Sequence, residues 1–114
     1  MPKMENVIYD VGNEFHHRPM GRKKTDGEFS GEAFREKVLY PFFSNLINQK
    51  SDQILVLDFN NVSMAGSSFL EEAFGGLVRA GIKKELIQSH LKILVDIELK
   101  ELIEDRIFQY IKRA

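Results

Sequence analysis

At 114 residues the chain has the length of one domain, and 43% hydrophobic residues with nine Phe supply one ordinary core. A charged fraction of 29% with both signs mixed, and a net charge of -1, exclude a disordered polyelectrolyte and any global attraction to nucleic acid or anionic membrane. The absence of cysteine excludes disulfides, thiol nucleophiles and Cys-based metal sites, and it fits a reducing compartment.

The opening Met1-Pro2-Lys3-Met4-Glu5 lacks the apolar run of a signal peptide, and no apolar stretch is long enough to span a bilayer, so the expectation is a cytoplasmic, soluble protein. Asn6 to Val11 reads as a short strand ended by the turn signal Gly12-Asn13, and Glu14 to Arg18 as the second strand of a hairpin. A loop punctuated by Pro19, Gly21 and Asp26-Gly27 follows. Ser30 then stands as an N-cap, with Phe34, Val38, Phe42 and Leu46 forming the stripe of a first helix. Pro41 inside that stripe removes a backbone donor and predicts a kink or break near Tyr40.

Ile54-Leu55-Val56-Leu57 is a continuous apolar run of the kind buried on both faces of a sheet, which places it in the interior. Ser63 to Gly66 makes a small-residue turn into a second helix whose buried face is Leu70, Ala73, Phe74 and Leu77. Ser68 and Glu71 stand in the S-x-x-E spacing of a capping box, and Gly81 closes the helix as its C′ residue. Gly75-Gly76 inside it costs about 1 kcal/mol per glycine against alanine, tolerable where the backbone must approach a neighbour closely. Leu91 to Val95 reads as another buried strand ending at Asp96, a helix N-cap. Leu99, Leu102, Ile103, Ile107, Tyr110 and Ile111 mark the last helix, with Lys112 and Arg113 at its C-terminal end. The expected order is β-β-α-β-α-β-α: an α/β domain over residues 1–114, with a mixed, mostly parallel sheet of about four strands and three main helices.

The stretch Leu57-Asp58-Phe59-Asn60-Asn61-Val62, and the block running from Gly66-Ser67-Ser68-Phe69-Leu70-Glu71-Glu72 through Ala73-Phe74-Gly75-Gly76-Leu77, resemble the STAS-like domains of unknown function. Gly21-Arg22, Asp26-Gly27 and Ser30-Gly31-Glu32-Ala33-Phe34-Arg35, with Leu39 and Pro41, fit the same pattern, so the likeness is strongest over residues 21–81. That family is similar to true STAS domains, among them the anti-sigma-factor antagonists. In those, a strand leads through a turn into a helix that starts Asp-Ser-Ser-Gly, and a partner kinase phosphorylates the first serine. The resemblance implies Ser67 as that phospho-acceptor, with Gly66 where the antagonists have Asp and Phe69 where they have Gly. It also implies a kinase-like ATPase or a transcriptional regulator as protein partner, met through Gly66, Ser67, Ser68, Phe69, Glu71 and Glu72, with Phe69 as an exposed apolar anchor.

Read from the residues alone, Ser68 caps a helix and Ser67 faces solvent, while Glu71 and Glu72 in the first turn would repel an added phosphate. Asp58, Glu71, Glu72 and Asp96 share the edge where strands end and helices begin; as a group they are either caps and solvated acids or oxygen ligands, and the former is the commoner arrangement. His16-His17 and His90 lack a third ligand at useful spacing, so neither metal nor cofactor is expected. Arg18, Arg22, Lys23 and Lys24 form a basic loop that suits phosphate, nucleic acid or plain solvation, with nucleic acid the minor option. No nucleophile elbow, P-loop or dinucleotide motif is present, so the chain reads as a regulatory binding module rather than an enzyme. The alternative is a nucleotide- or small-anion-binding protein, with weak hydrolase activity, using the strand-end edge and the basic loop.

Overall fold

The computed structural model describes residues 5–50 and 52–114; Met1 to Met4, on which the reading against a leader rests, lie outside the described residues, as does Ser51. Strands β1 (Glu5–Asp10), β2 (Gln53–Asp58) and β3 (Leu91–Leu94) form one sheet in the order β1-β2-β3, parallel throughout. The Ile54 to Leu57 run lies in the central strand, as its unbroken apolar character demands, and Leu55, Val56 and Leu57 are buried.

The sheet therefore has three strands among the described residues, not about four, and it is not mixed. The hairpin strand expected over Glu14 to Arg18 is absent because Val11–Phe15 winds into a helical turn directly after β1. Asp10 caps that turn: its Oδ1 accepts from the Asn13 N–H at 3.2 Å, while its own N–H donates to Glu14 Oε2 at 2.7 Å. A short acidic side chain that bonds its own backbone two or three residues on favours a turn over a continued ladder.

Helix α1 covers 31–49, with an i→i−5 stretch at Arg35–Leu39 between α-helical Gly31–Phe34 and Tyr40–Gln49. Ser30 caps it as expected, its buried hydroxyl accepting from the Ala33 N–H at 3.2 Å. The neighbouring donors are met by the preceding loop: Gly31 N–H reaches the Gly21 carbonyl at 2.9 Å and Glu32 N–H the Arg22 carbonyl at 3.0 Å. Pro41 does not break the helix. The Tyr40 N–H bonds back to the Arg35 carbonyl, and this wider turn carries the chain past the donor that proline lacks.

Helix α2 covers 67–79, again with a wide stretch at Glu71–Gly75, and ends at Gly81, whose φ of 108° only glycine adopts freely. A short helix that the periodicity does not reveal, α3 (Lys84–His90), feeds straight into β3. Helix α4 runs over 97–113 and buries Ile103, Ile107 and Ile111. Among the described residues no helix is long and apolar enough to cross a membrane.

The core lies between the sheet and these helices. Leu55, Leu57, Leu91 and Ile93 meet fully buried Phe34, Phe69 and Phe74, with the Phe34 ring centroid 5.6 Å from Phe69 and 6.2 Å from Phe74. The first turn of α1 presses onto α2 so tightly that a Cβ at Gly31 would run into the Phe69 carbonyl oxygen and come within 2.9 Å of Glu72 Cβ. That contact seats α2, and with it the serines that open it.

Candidate functional site: the start of helix α2 and its groove

The route from β2 into α2 is set by local polar bonds. Asp58 Oδ1 accepts from the Asn60 N–H at 2.8 Å, the Val62 N–H bonds the Phe59 carbonyl at 3.0 Å, and Phe59 and Val62 are buried beneath the turn. Ser63 then ties the loop sideways, its N–H and its hydroxyl donating to the His17 carbonyl at 2.8 and 3.1 Å. Gly66, extended at φ −68° and ψ 149°, stands at the N-cap, and its carbonyl takes the Leu70 N–H. Ser67 and Ser68 are the first two helical residues, and both are exposed.

The capping box expected between Ser68 and Glu71 is not formed: no side chain caps this helix. Glu71 turns instead to distant cations. It pairs with Arg22 at 2.5 Å and with Arg79 at 2.8 Å, two charge-assisted contacts that outweigh one local backbone bond. Phe69 is likewise no exposed anchor; it is fully buried among Phe15, Phe34 and the sheet-facing core. Glu72, expected at the surface, is buried at 6% exposure. Its Oε2 accepts from Arg35 at 2.7 Å, Arg35 also bonds the Glu72 carbonyl at 2.7 Å, and Lys23 and Arg22 lie 3.5 and 3.6 Å from its carboxylate.

These pairings shape the electrostatics. The Arg79 hydrogen bond, with help from Arg22, holds the Glu71 carboxyl below the usual glutamate range. For Glu72 burial pushes upward, but the Arg35 bond and the Lys23 and Arg35 charges together outweigh it and bring it below that range as well. The acids that would have repelled a phosphate at Ser67 thus carry their own counter-charges.

The same contacts engage the basic loop. Arg22 and Lys23 are bound to Glu71 and Glu72, and Lys24 to Glu36 at 2.5 Å. Arg18 makes no such pair among the described residues. The loop acts as a strap from β1 onto α1 and α2, with Arg22, Lys23 and Lys24 turned to the protein's own carboxylates. His16 and His17 do not point apart as strand neighbours would; off any strand, their rings stack at 4.5 Å, with Phe29 beyond His16 at 4.1 Å. Asp58 and Asp96 stay at the strand-end edge, Asp96 at the N-cap of α4 without a side-chain cap bond. Among the described residues no three His, Asp or Glu side chains are grouped to hold a metal ion.

Beside the exposed serines lies a feature that sequence spacing does not reveal. A groove of about 330 Å³ separates the 63–67 segment from α4, and Leu99, Leu102, Ile103 and Arg106 form its far wall. Met64 and Leu102 are 55% and 48% exposed, unusual for large apolar side chains. Ser67 therefore opens onto an apolar trough, not onto open solvent alone. The groove is nearly invisible in the sequence because its walls lie more than thirty residues apart. The available signal is the width of the α4 stripe, where Leu99, Leu102 and Ile103 are more apolar residues than one buried face needs.

A family model described as a STAS-like domain of unknown function (DUF4325) matches residues 30–95, from the cap of α1 to the end of β3. The matched stretch thus contains Ser67, Ser68 and one wall of the groove. No curated protein and no solved structure matches the chain.

Proposed function

We propose, for a chain that belongs to the family of STAS-like domains of unknown function, that it acts as a regulatory module which works by binding a protein partner rather than by catalysis. The observation that supports this is exposed Ser67 on the lining of an apolar groove, with Ser68, also exposed, next to it in the chain. Exposed apolar side chains rimmed by polar ones are the usual make-up of an interaction surface. The docking face consists of Gly66, Ser67 and Ser68 with Met64 and Leu102 beside them. Phe69, Glu71 and Glu72 belong to the framework beneath it. Ser67 is the contact and modification point, and the partner is a kinase-like ATPase or a transcriptional regulator.

A phosphate on Ser67 would bring a charge near −2 to the lip of an apolar surface, where desolvation on docking makes charge expensive. Modification then releases the partner. The test takes a purified kinase-like ATPase or regulator and measures its binding to the wild type, Ser67→Glu and Leu102→Lys. Both substitutions should weaken binding by about tenfold or more, a cost of about 1.4 kcal/mol, while melting temperatures stay put because both positions are exposed. Wild-type affinity in both variants rejects this face. In a parallel assay with labelled ATP, phosphate that persists in Ser67→Ala rejects Ser67 as acceptor.

A further inference from the structure

We infer that the groove between the 63–67 segment and α4 is a binding site for a small amphipathic carboxylic acid: an aliphatic chain with a single anionic head. At about 330 Å³ its volume falls at the lower end of small-ligand sites, and like them it is mainly apolar with a few polar groups. Leu99, Leu102 and Ile103 offer a continuous aliphatic wall from α4, and Met64, unbranched and adaptable, faces them from the loop.

The head-group assignment rests on Arg106. It lines this groove, it is half-buried, and among the described residues no carboxylate lies within 4.0 Å of it. Among the described residues Arg22, Arg35 and Arg79 have acidic partners, and of the arginines without one, Arg18, Arg106 and Arg113, Arg106 alone lines the groove. Arg106 brings a permanent positive charge to a lining that is otherwise mostly apolar, which is complementary to one anion, and the planar fork of an arginine suits a carboxylate. The Ser63 and Ser67 hydroxyls are the other side-chain hydrogen-bonding groups on the lining. One cation balances a monoanion; a nucleotide's phosphates call for more, and no aromatic ring lines the groove to stack a base. The ligand class is thus fixed by one charge and one greasy wall.

The proposal does not depend on the docking face, because it is read on the protein alone. Sodium decanoate, held below its micelle concentration, is titrated into the isotopically labelled protein and followed by amide chemical shifts. Butyrate supplies the head without the chain, and decyltrimethylammonium the chain with the opposite charge. Decanoate should give saturable shifts confined to residues 63–67 and 99–106, and the two controls should not. Arg106→Gln should weaken decanoate by about tenfold or more, the worth of one charge-assisted hydrogen bond.

Equal binding of the cationic amphiphile, or an unchanged affinity in Arg106→Gln, overturns the proposal by reducing it to greasy partition. So does the absence of saturable shifts at those amides. If the same amides shift with protein concentration and no ligand, a second copy covers the groove and the proposal fails. It fails equally if only a partner protein, and no decanoate, moves them; in that case the docking face survives. Loss of partner binding with retained decanoate binding would reject the docking face and leave this site standing.

Discussion

Removing the Arg35 guanidinium tests the framework beneath the serines more sharply than any surface change. In Arg35→Met the aliphatic stem keeps its packing, but Glu72 loses both bonds made by Nη1, each 2.7 Å long. The carboxylate sits at 8% side-chain exposure and Arg35 at 14%, so little water can take the lost partner's place. Breaking such a pair from one side costs about 3–5 kcal/mol, because a buried charge is left behind. Lys23 and Arg22 at 3.5 and 3.6 Å still offset part of that charge, which places the expected loss near the lower figure, about 3 kcal/mol. At about 4 °C per kcal/mol the melting temperature should fall by roughly 12 °C. Replacing both partners, as Arg35→Met with Glu72→Leu, removes the orphan charge and should restore most of the loss. Urea unfolding followed by circular dichroism at neutral pH measures all three proteins. A single variant that loses less than about 1 kcal/mol, or a double variant no more stable than the single, would refute the claim that Arg35 neutralises a buried acid.

Because Glu71 and Glu72 are both held below their ordinary value near 4.5, their contribution is complete above that value and is lost as pH falls through their lowered folded values. Thermal melts should therefore be flat from neutrality to about pH 5 and drop steeply below about pH 4.5, and Glu72→Gln should flatten that drop; a melting temperature that falls between pH 7 and 5.5 would point to other groups. Gly31→Ala should destabilise by about 1–3 kcal/mol despite alanine's better helix propensity, since its Cβ meets α2 backbone that cannot move aside; a stabilised variant in the same urea assay would contradict the helix contact. Ser30→Ala should cost about 1 kcal/mol through the lost cap, and Ser30→Asp should recover part of it. Equal stability in Ser30→Ala would mean that the loop carbonyls alone suffice.

Wherever the sequence carries a local period or a local cap, it can be read directly. Ile54 to Leu57 announces the central strand, Leu70, Ala73, Phe74 and Leu77 mark a face that is fully buried, and Ser30 and Gly81 bracket their helices as their chemistry dictates. Long-range charge overrules such local signals. Ser68 and Glu71 have ideal capping-box spacing, yet Glu71 finds Arg22 from forty-nine positions away. Phe69 is hidden for a related reason: α2 is covered on more than one side, and its small residues Ala73, Gly75 and Gly76 beside Phe69, Leu70 and Phe74 are the composition of a helix buried nearly all round. Helix α3 has only Leu86 and Ile87 as aliphatic residues in seven positions, too few to set a period. The exposure of Ser67 and Ser68 follows from the turn chemistry that precedes them; the groove that Ser67 lines follows from nothing local and exists only once α4 is packed.

The bonds from Gly31 and Glu32 to the carbonyls of Gly21 and Arg22 give the 19–29 stretch a standing its composition hides. Rich in glycine and lysine, it looks like spare ribbon, fit for a tag or a shortened version, yet it supplies in backbone form the turn that α1 would otherwise be missing. Trypsin should find Arg22, Lys23 and Lys24 only when that ribbon lifts, so the rate of nicking there is a clock for the loosening of the helix beneath.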